Sequence, residues 1–245
     1  MSAAYGITGY PLSHTFSPKY FTAKFLREGI DATYTAFPLE DIGGLKALLD
    51  AHPQLRGFNV TIPHKTSIIP FLQSRHEDVA AIGACNCVKI TQTGLTGYNT
   101  DWKGFYHSLK PLLDDGHQQA LVLGNGGAAK AVVYALRKLG IVFRIATRAG
   151  REGATALSDV DEGMIRQHGL IINTTPLGMY PDEALAPEIP YSALTPRHLL
   201  YDLVYNPAET VFLRKGKEAG ASVKNGQEML ELQAEYSWEI WQGQS

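Results

Sequence analysis

The sequence predicts an α/β protein of two domains, an N-terminal, mostly parallel α/β substrate domain and a Rossmann-type dinucleotide-binding domain. Three observations predict it. Short apolar runs alternate with amphipathic stretches from the start, a glycine-bearing strand-turn-helix restarts that rhythm in mid-chain, and 245 residues suffice for two modest cores.

In order, AYGITG reads as a strand and residues 18–28 as a helix, which Ser17 can cap, Pro18 suits in its first turn and Gly29 can end. TYTAFPL is the next strand, residues 43–51 a second helix and GFNVTIP a third strand. ACNCVKI and LTGYNT follow as strands joined by a turn at 92–94, and residues 101–113 form a bridging helix. A second series opens at ALVLGNGGAAKAVVYALRKLG and continues through VFRIATR, LIINTTP and LLYDLVY to ASVKNG, each unit reading strand, turn, helix. The final helix, QEMLELQAEYSWEIW, returns to the first domain. The expected boundaries are 1–100 plus 225–245 for the substrate domain and 101–224 for the nucleotide domain. The proline-rich stretch 179–196 receives no role.

Hydrophobic residues at 44%, charged residues at 19% and a net charge of -2 leave no field suited to a nucleic-acid backbone or an anionic membrane. No apolar run approaches the roughly 18 to 20 residues of a membrane span, and the N-terminus lacks the basic and apolar segments of a leader. The expectation is a cytoplasmic protein, monomer or homodimer, whose partner is a small-molecule substrate. Cys85 and Cys87 stand two apart, so on one strand they share a face where a mutual disulfide would be strained. Reduced thiols fit better, and no further spaced ligand pair suggests a metal.

Gly124, Gly126 and Ala129 follow an apolar strand and open a helix, matching the G-x-G-x-x-G/A fingerprint in its required setting. The first glycine permits the tight turn, the second lets a pyrophosphate approach the backbone, and the small third residue brings helix against strand. The turn Gly124, Asn125, Gly126, Gly127 and Ala128 would then wrap the phosphates. About 20 residues on, where a carboxylate would bond the ribose of NAD, the chain reads Thr147, Arg148. Arg148 and Arg151 can grip a 2′-phosphate there, which favours NADP; the plainer reading is two solvated arginines on a loop.

Hydride delivered to a carbonyl carbon leaves charge on its oxygen, so the other domain must supply a pocket and a proton donor. GYPLSHTFSP, NVTIPHK, GACNCV and GYNTDWKG each lie at or just after a strand, where sites collect in open α/β sheets. Ser13, Thr15 and Ser17 stand at a helix entrance, a place disposed to bind an anion such as a carboxylate. Lys65 follows a strand and Asp101 begins the bridging helix; the ammonium could protonate a nascent alkoxide, although a lone lysine and aspartate are more often surface charges. Gln233 shares a helix face with Met229, Leu230, Tyr236 and Ile240. Burying its amide unpaired would cost about 1 to 3 kcal/mol, so it needs a substrate hydroxyl or a backbone carbonyl as partner.

Together these clusters resemble the shikimate dehydrogenase family over nearly the whole chain: GYPLSHTFSP, NVTIPHK, GACNC, NTDWKG, GNGGA, NTTPLGM, YDLVYNP and MLELQ match its patterns in order. The resemblance implies reversible NADPH-dependent reduction of 3-dehydroshikimate to shikimate, a step of aromatic amino-acid biosynthesis. It implies that Lys65 and Asp101 are the catalytic pair, that Thr15 and Ser17 hold the substrate carboxylate, and that Thr61, Asn86, Tyr205 and Gln233 contact its hydroxyls or ring surroundings. Asn173, Thr174 and Met179 would line the ribose and nicotinamide region. His14 and His64 receive no role.

Departures from the family pattern are Thr15 for serine, Cys87 for threonine, and Thr147-Arg148-Ala149 for Asn-Arg-Thr. Thr15 keeps the hydroxyl and adds a methyl that narrows the pocket. Related readings are a quinate dehydrogenase with different cofactor use and a non-catalytic ligand sensor; a sensor would be expected to have lost Lys65 or Asp101, and both are present.

Overall fold

The computed structural model describes residues 2–13, 15–150 and 153–244. The chain divides into two compact units, Met1–Lys103 with Glu231–Ser245, and Gly104–Leu230. Among the described residues, no helix is long and apolar enough to cross a membrane.

The first unit is built on a mixed six-stranded sheet. Strand β1 (Ala3–Gly9) leads into helix α1 (Ser17–Glu28) and strand β2 (Ala32–Pro38). Helix α1 ends where Gly29 takes φ +64°, as expected of a C-terminal glycine. Its start differs from expectation: Phe16 occupies the capping position, no side chain caps the helix, and Ser17 is already helical. After β2, the Asp41 carboxylate accepts from Gly43 N at 2.9 Å, making the next turn a 3-10 turn before helix α2 (Leu45–Ala51).

Strand β3 (Leu55–Val60) is followed by a two-residue strand β4 (Ser74–Arg75) and helix α3 (Glu77–Ile82), both unsignalled by the apolar pattern. Strands β5 (Cys87–Thr91) and β6 (Gly94–Tyr98) form an antiparallel hairpin. The sheet order is β2-β1-β3-β5-β6-β4, with β5 alone running against its neighbours. Because β5 starts only at Cys87, the two thiols do not share a strand face. Cys85 packs with Phe58 and Val88, while Cys87 packs on the other side with Tyr5 and Trp241. Both are free and buried, and burial pushes the Cys85 thiol up to about 12.

Helix α4 (Asp101–Leu109), extended by a 3-10 turn over Lys110–Leu112, carries the chain into the second unit. There β7 (Gln119–Leu123), α5 (Gly127–Lys138), β8 (Val142–Thr147), β9 (Thr155–Ala156), α6 (Glu162–Gln167), β10 (Leu170–Asn173), β11 (Leu199–Asp202), α7 (Val211–Glu218) and β12 (Ser222–Lys224) follow. All six strands are parallel in the order β9-β8-β7-β10-β11-β12, the doubly wound order of dinucleotide-binding sheets, with the reversal between β7 and β10. The expected strand-turn-helix rhythm fails once. From β10 to β11 the chain runs as a loop through Pro176, Pro181, Pro187, Pro190 and Pro196, with a 3-10 turn at Tyr191–Ala193. Prolines lack the donors a helix needs, and Ile189, Ala193 and Leu194 cover the sheet in its place.

Helix α8 (Gln227–Gln242) closes the chain, and from Glu231 onward it belongs to the first unit. It lies close over β3, since a Cβ on Gly57 would stand 2.3 Å from Trp241 Nε1, and that indole donates to Val88 O at 3.0 Å. The buried Lys24 ammonium on α1 pairs with Glu235 at 2.8 Å, and the Tyr20 hydroxyl donates to the same carboxylate.

Candidate active site

In the first unit, β1, β3 and β6 bring their carboxyl ends to one edge of the sheet, and β5, running the other way, brings its amino end there. Residues distant in the chain therefore meet: Thr61 N donates to Thr8 O, Val60 N to Asn86 O, and Asn86 N to Tyr98 O. This juxtaposition gathers Thr15, Ser17, Thr61, Lys65, Asn86 and Asp101 at that edge.

Lys65 stands in the turn after β3, where its carbonyl accepts from Cys85 N at 2.7 Å. The neighbouring His64 is buried and bonds Leu39 O at 2.6 Å, anchoring that turn to the end of β2. Asp101 opens α4 beneath Asn99, whose Oδ1 accepts from Trp102 N at 3.3 Å while its amide donates to Ala84 O. The Trp102 indole donates to the buried Asp78 carboxylate at 2.9 Å, a second hold on the same turn. So positioned, Lys65 Nζ donates to Asp101 Oδ2 at 2.6 Å. Their side chains are 19% and 8% exposed, which makes this a shielded ion pair rather than a surface one.

Asn86 joins the pair by donating to Asp101 Oδ1 at 2.8 Å, and also faces Thr100 Oγ1 and Gln233 Oε1, each at 3.0 Å. Gln233 Oε1 thus accepts from another side chain. Thr15 and Thr61 are half-buried, with backbone bonds to Leu12 O and Thr8 O. Below them, Tyr34 donates to Asn59 Oδ1 at 2.8 Å, and Asn59 donates to Ser237 Oγ at 2.9 Å. Sequence reasoning missed Tyr34, Asn59, Thr100 and Ser237. Thr100 and Asn59 lay inside quoted motifs, and Ser237 follows Gln233 by one helical turn, whereas nothing marked Tyr34.

In the second unit, Gly124 ends β7 at φ +109°, and a Cβ there would come within 2.6 Å of Thr174 Oγ1, so the turn after β7 presses against the turn after β10 at the sheet's reversal. Thr174 donates to Leu123 O at 2.7 Å. Gly126 sits ahead of α5 with no side-chain cap, no acidic residue in the first turn and nothing within 4 Å of an added Cβ. Asn125 is exposed and Gly127 and Ala128 half-buried, so the uncapped backbone N–H groups stand open to an anion.

At the end of β8, Thr147 Oγ1 is buried without a hydrogen-bond partner among the described residues, next to the exposed Arg148. An orphaned hydroxyl, an exposed cation with no ion pair among the described residues and an open helix start fit an adenosine 2′-phosphate and a pyrophosphate. Arg151 lies outside the described residues, as does His14.

Asn173 is fully buried and its amide is spent on Asp202 at 2.9 Å and Leu177 O at 3.4 Å, with its carbonyl accepting from Thr175, so it shapes the β10 turn from within. Asp202 also accepts from Thr210 Oγ1 and Val204 N, and burial raises its carboxyl to about 6. Met179 is 45% exposed on the loop after β10, and Tyr205, half-buried beyond β11, has its phenol raised by burial.

Residues 7–88 match the family pattern described as the shikimate dehydrogenase substrate binding domain. A relative from Methanococcus maripaludis named shikimate dehydrogenase (NADP(+)) is 37% identical, the match covering 97% of this chain and 91% of the relative. The crystal structure of shikimate dehydrogenase from Aquifex aeolicus superposes with a TM-score of 0.88 at 34% identity, covering 99% of this chain and 93% of that one. The shikimate 5-dehydrogenase of Thermus thermophilus, solved with NADP(H) and shikimate, superposes with a TM-score of 0.87 at 29% identity, covering 98% and 94%.

Proposed function

The chain belongs to the shikimate dehydrogenase family, and from that premise we propose that it catalyses the reversible NADPH-dependent reduction of 3-dehydroshikimate to shikimate. The observation that carries the chemistry is the shielded Lys65–Asp101 pair, 2.6 Å apart and braced by Asn86. The first unit is the substrate-binding catalytic domain and the second the NADP-binding domain. NADPH, when bound, supplies the hydride. Lys65 Nζ would deliver a proton to the ketone oxygen as charge develops there, completing the alcohol. Asp101 holds the ammonium aimed through its short charge-assisted bond. In the oxidative direction the same lysine accepts the alcohol proton.

Thr15 and Ser17 hydroxyls donate to the carboxylate of the acid, with Thr61, Asn86 and Gln233 turned to its ring hydroxyls and Tyr205 to its surroundings. Gly124, Asn125, Gly126, Gly127 and Ala128 offer backbone N–H groups to the pyrophosphate, supported by the uncapped start of α5. Thr147 and Arg148 take the 2′-phosphate, supported by the orphaned hydroxyl beside the exposed guanidinium. Thr174 and Met179 face the ribose and nicotinamide, with Asn173 supporting their loop from below. A step of aromatic amino-acid biosynthesis drawing on NADPH fits the cytoplasm.

Spectrophotometric turnover of the purified chain, offered shikimate or quinate with NADP or NAD, tests the assignment. The expected result is highest kcat/KM for shikimate with NADP. Preference for quinate or NAD overturns the specificity, and no turnover of any pair leaves a ligand sensor.

A further inference from the structure

Asp78 lies outside every motif of the sequence, yet it is among the most deeply buried charged groups of the first unit. It stands in the first turn of α3, and its only ion-pair partner among the described residues is His76. Its Oδ2 accepts from the Trp102 indole at 2.9 Å, so the carboxylate grips the residue that follows Asp101.

His76 is itself held in place. Its backbone N donates to Gly97 O at 2.9 Å, and its exposed ring stacks on Tyr98 with the centroids 5.8 Å apart. Nδ1 stands 3.1 Å from Asp78 Oδ1 and 3.5 Å from Asp78 N, and it can donate to the first or accept from the second but not both. Oδ1 is buried and has no other partner, so the shorter contact wins and the hydrogen sits on Nδ1. Both carboxylate oxygens are then taken, one by His76 and one by Trp102, which fixes the orientation of the group.

What this clamp sets is the start of α4. Trp102 N reaches Asn99 Oδ1 only at 3.3 Å, so the backbone bond leaves the rotation of that turn loosely defined, and the shorter indole bond defines it. A group about 5 Å from a helix axis moves about 1 Å when the turn rotates by about 10°. Asp101 shares the turn with Trp102, and its carboxylate meets Lys65 Nζ at 2.6 Å. A displacement of about 1 Å at such a group costs up to about 100-fold in rate. The 2.8 Å bond from Asn86 to Asp101 resists part of that movement, which brings the expected loss to about tenfold.

We infer that Asp78 is a positioning residue for the reaction: backed by His76, its carboxylate holds the Trp102 indole and through it the first turn of α4, so that Asp101 keeps Lys65 aimed. The inference rests on the function proposed above. The indole needs an acceptor at position 78 and not a charge. An amide there serves as well, its oxygen accepting from Trp102 and its NH2 donating to His76 in the other tautomer.

Steady-state kinetics of the full chain with shikimate and NADP test this. Trp102→Phe keeps a ring and removes the N–H, whereas Asp78→Ala removes the acceptor. Each should lower kcat about tenfold while KM for shikimate and for NADP moves less than about threefold. The double variant should be no slower than the slower single one, because both changes cut the same bond. Asp78→Asn should return kcat to within about threefold of the parent, the sign of a lost acceptor rather than a lost charge. Should Asp78→Ala fail to fold, Trp102→Phe and Asp78→Asn still decide. With an active parent, kcat of Trp102→Phe within about twofold of it, a loss carried by KM, or Asp78→Asn as slow as Trp102→Phe overturns the inference alone. A parent chain that does not turn over shikimate overturns the substrate assignment and this inference with it.

Discussion

Replacing Lys65 with alanine removes the only ammonium that pairs with Asp101 among the described residues, and the structure sets the size of the effect. Without a positioned acid the alkoxide must take its proton from water, which forfeits a factor of about 100 to 10,000, or about 3 to 5 kcal/mol of barrier. Affinity for the acid should hardly change, since the carboxylate hydroxyls of Thr15 and Ser17 stand on other elements; KM is expected to move less than about threefold. Stability should fall modestly. Asp101 keeps its 2.8 Å bond from Asn86 but loses a charge-assisted one in a site 8% exposed, a change of about 1 to 3 kcal/mol. Steady-state rates followed through NADPH absorbance, with urea unfolding of the same preparation, separate the two effects. A Lys65→Ala chain with kcat within about twofold of the parent, or with the loss appearing wholly in KM, refutes the lysine as proton donor.

Arg148→Ala should weaken NADPH by tenfold or more and NADH by little, as expected for about 1.5 to 3 kcal/mol of charge-assisted bonding; titrating both cofactors decides, and equal weakening removes the guanidinium from the 2′-phosphate. Gly124→Ala would force a Cβ to within 2.6 Å of Thr174 Oγ1 at φ +109°, so a loss of at least about 2 kcal/mol in unfolding free energy is expected, together with weaker NADP binding. Asp202 has its carboxyl raised by burial from 3.8 to about 6, so the folded chain binds its proton more tightly than the unfolded one. That contribution is fully present below about pH 4 and is lost as pH rises through about 6, amounting to about 3 kcal/mol. Asp202→Asn should flatten the stability profile across that window, and denaturant midpoints that track the parent at every pH would count against a raised carboxyl.

What the sequence determined by itself is what local pattern can carry. The glycine turn at 124–129, the ending of α1 at Gly29, the parallel strands of the second unit and the motif residues Lys65, Asn86, Asp101 and Gln233 are each set by neighbours a few residues away or by a stretch of residue types. What only the tertiary structure decided is everything that depends on elements far apart in the chain. Ser17 is already helical and Phe16 stands at the capping position, so the cap that the residue types suggested does not form. Cys85 and Cys87 part to opposite faces because the strand begins between them. The stretch from β10 to β11 stays a loop, its prolines read correctly as present and its packing on the sheet visible only once folded. The meeting of an ammonium with a carboxylate 36 positions on, and of the Asn86 amide with both that carboxylate and Gln233 of the last helix, follows from one strand running against its neighbours, since that reversal brings an amino end and three carboxyl ends to a single edge.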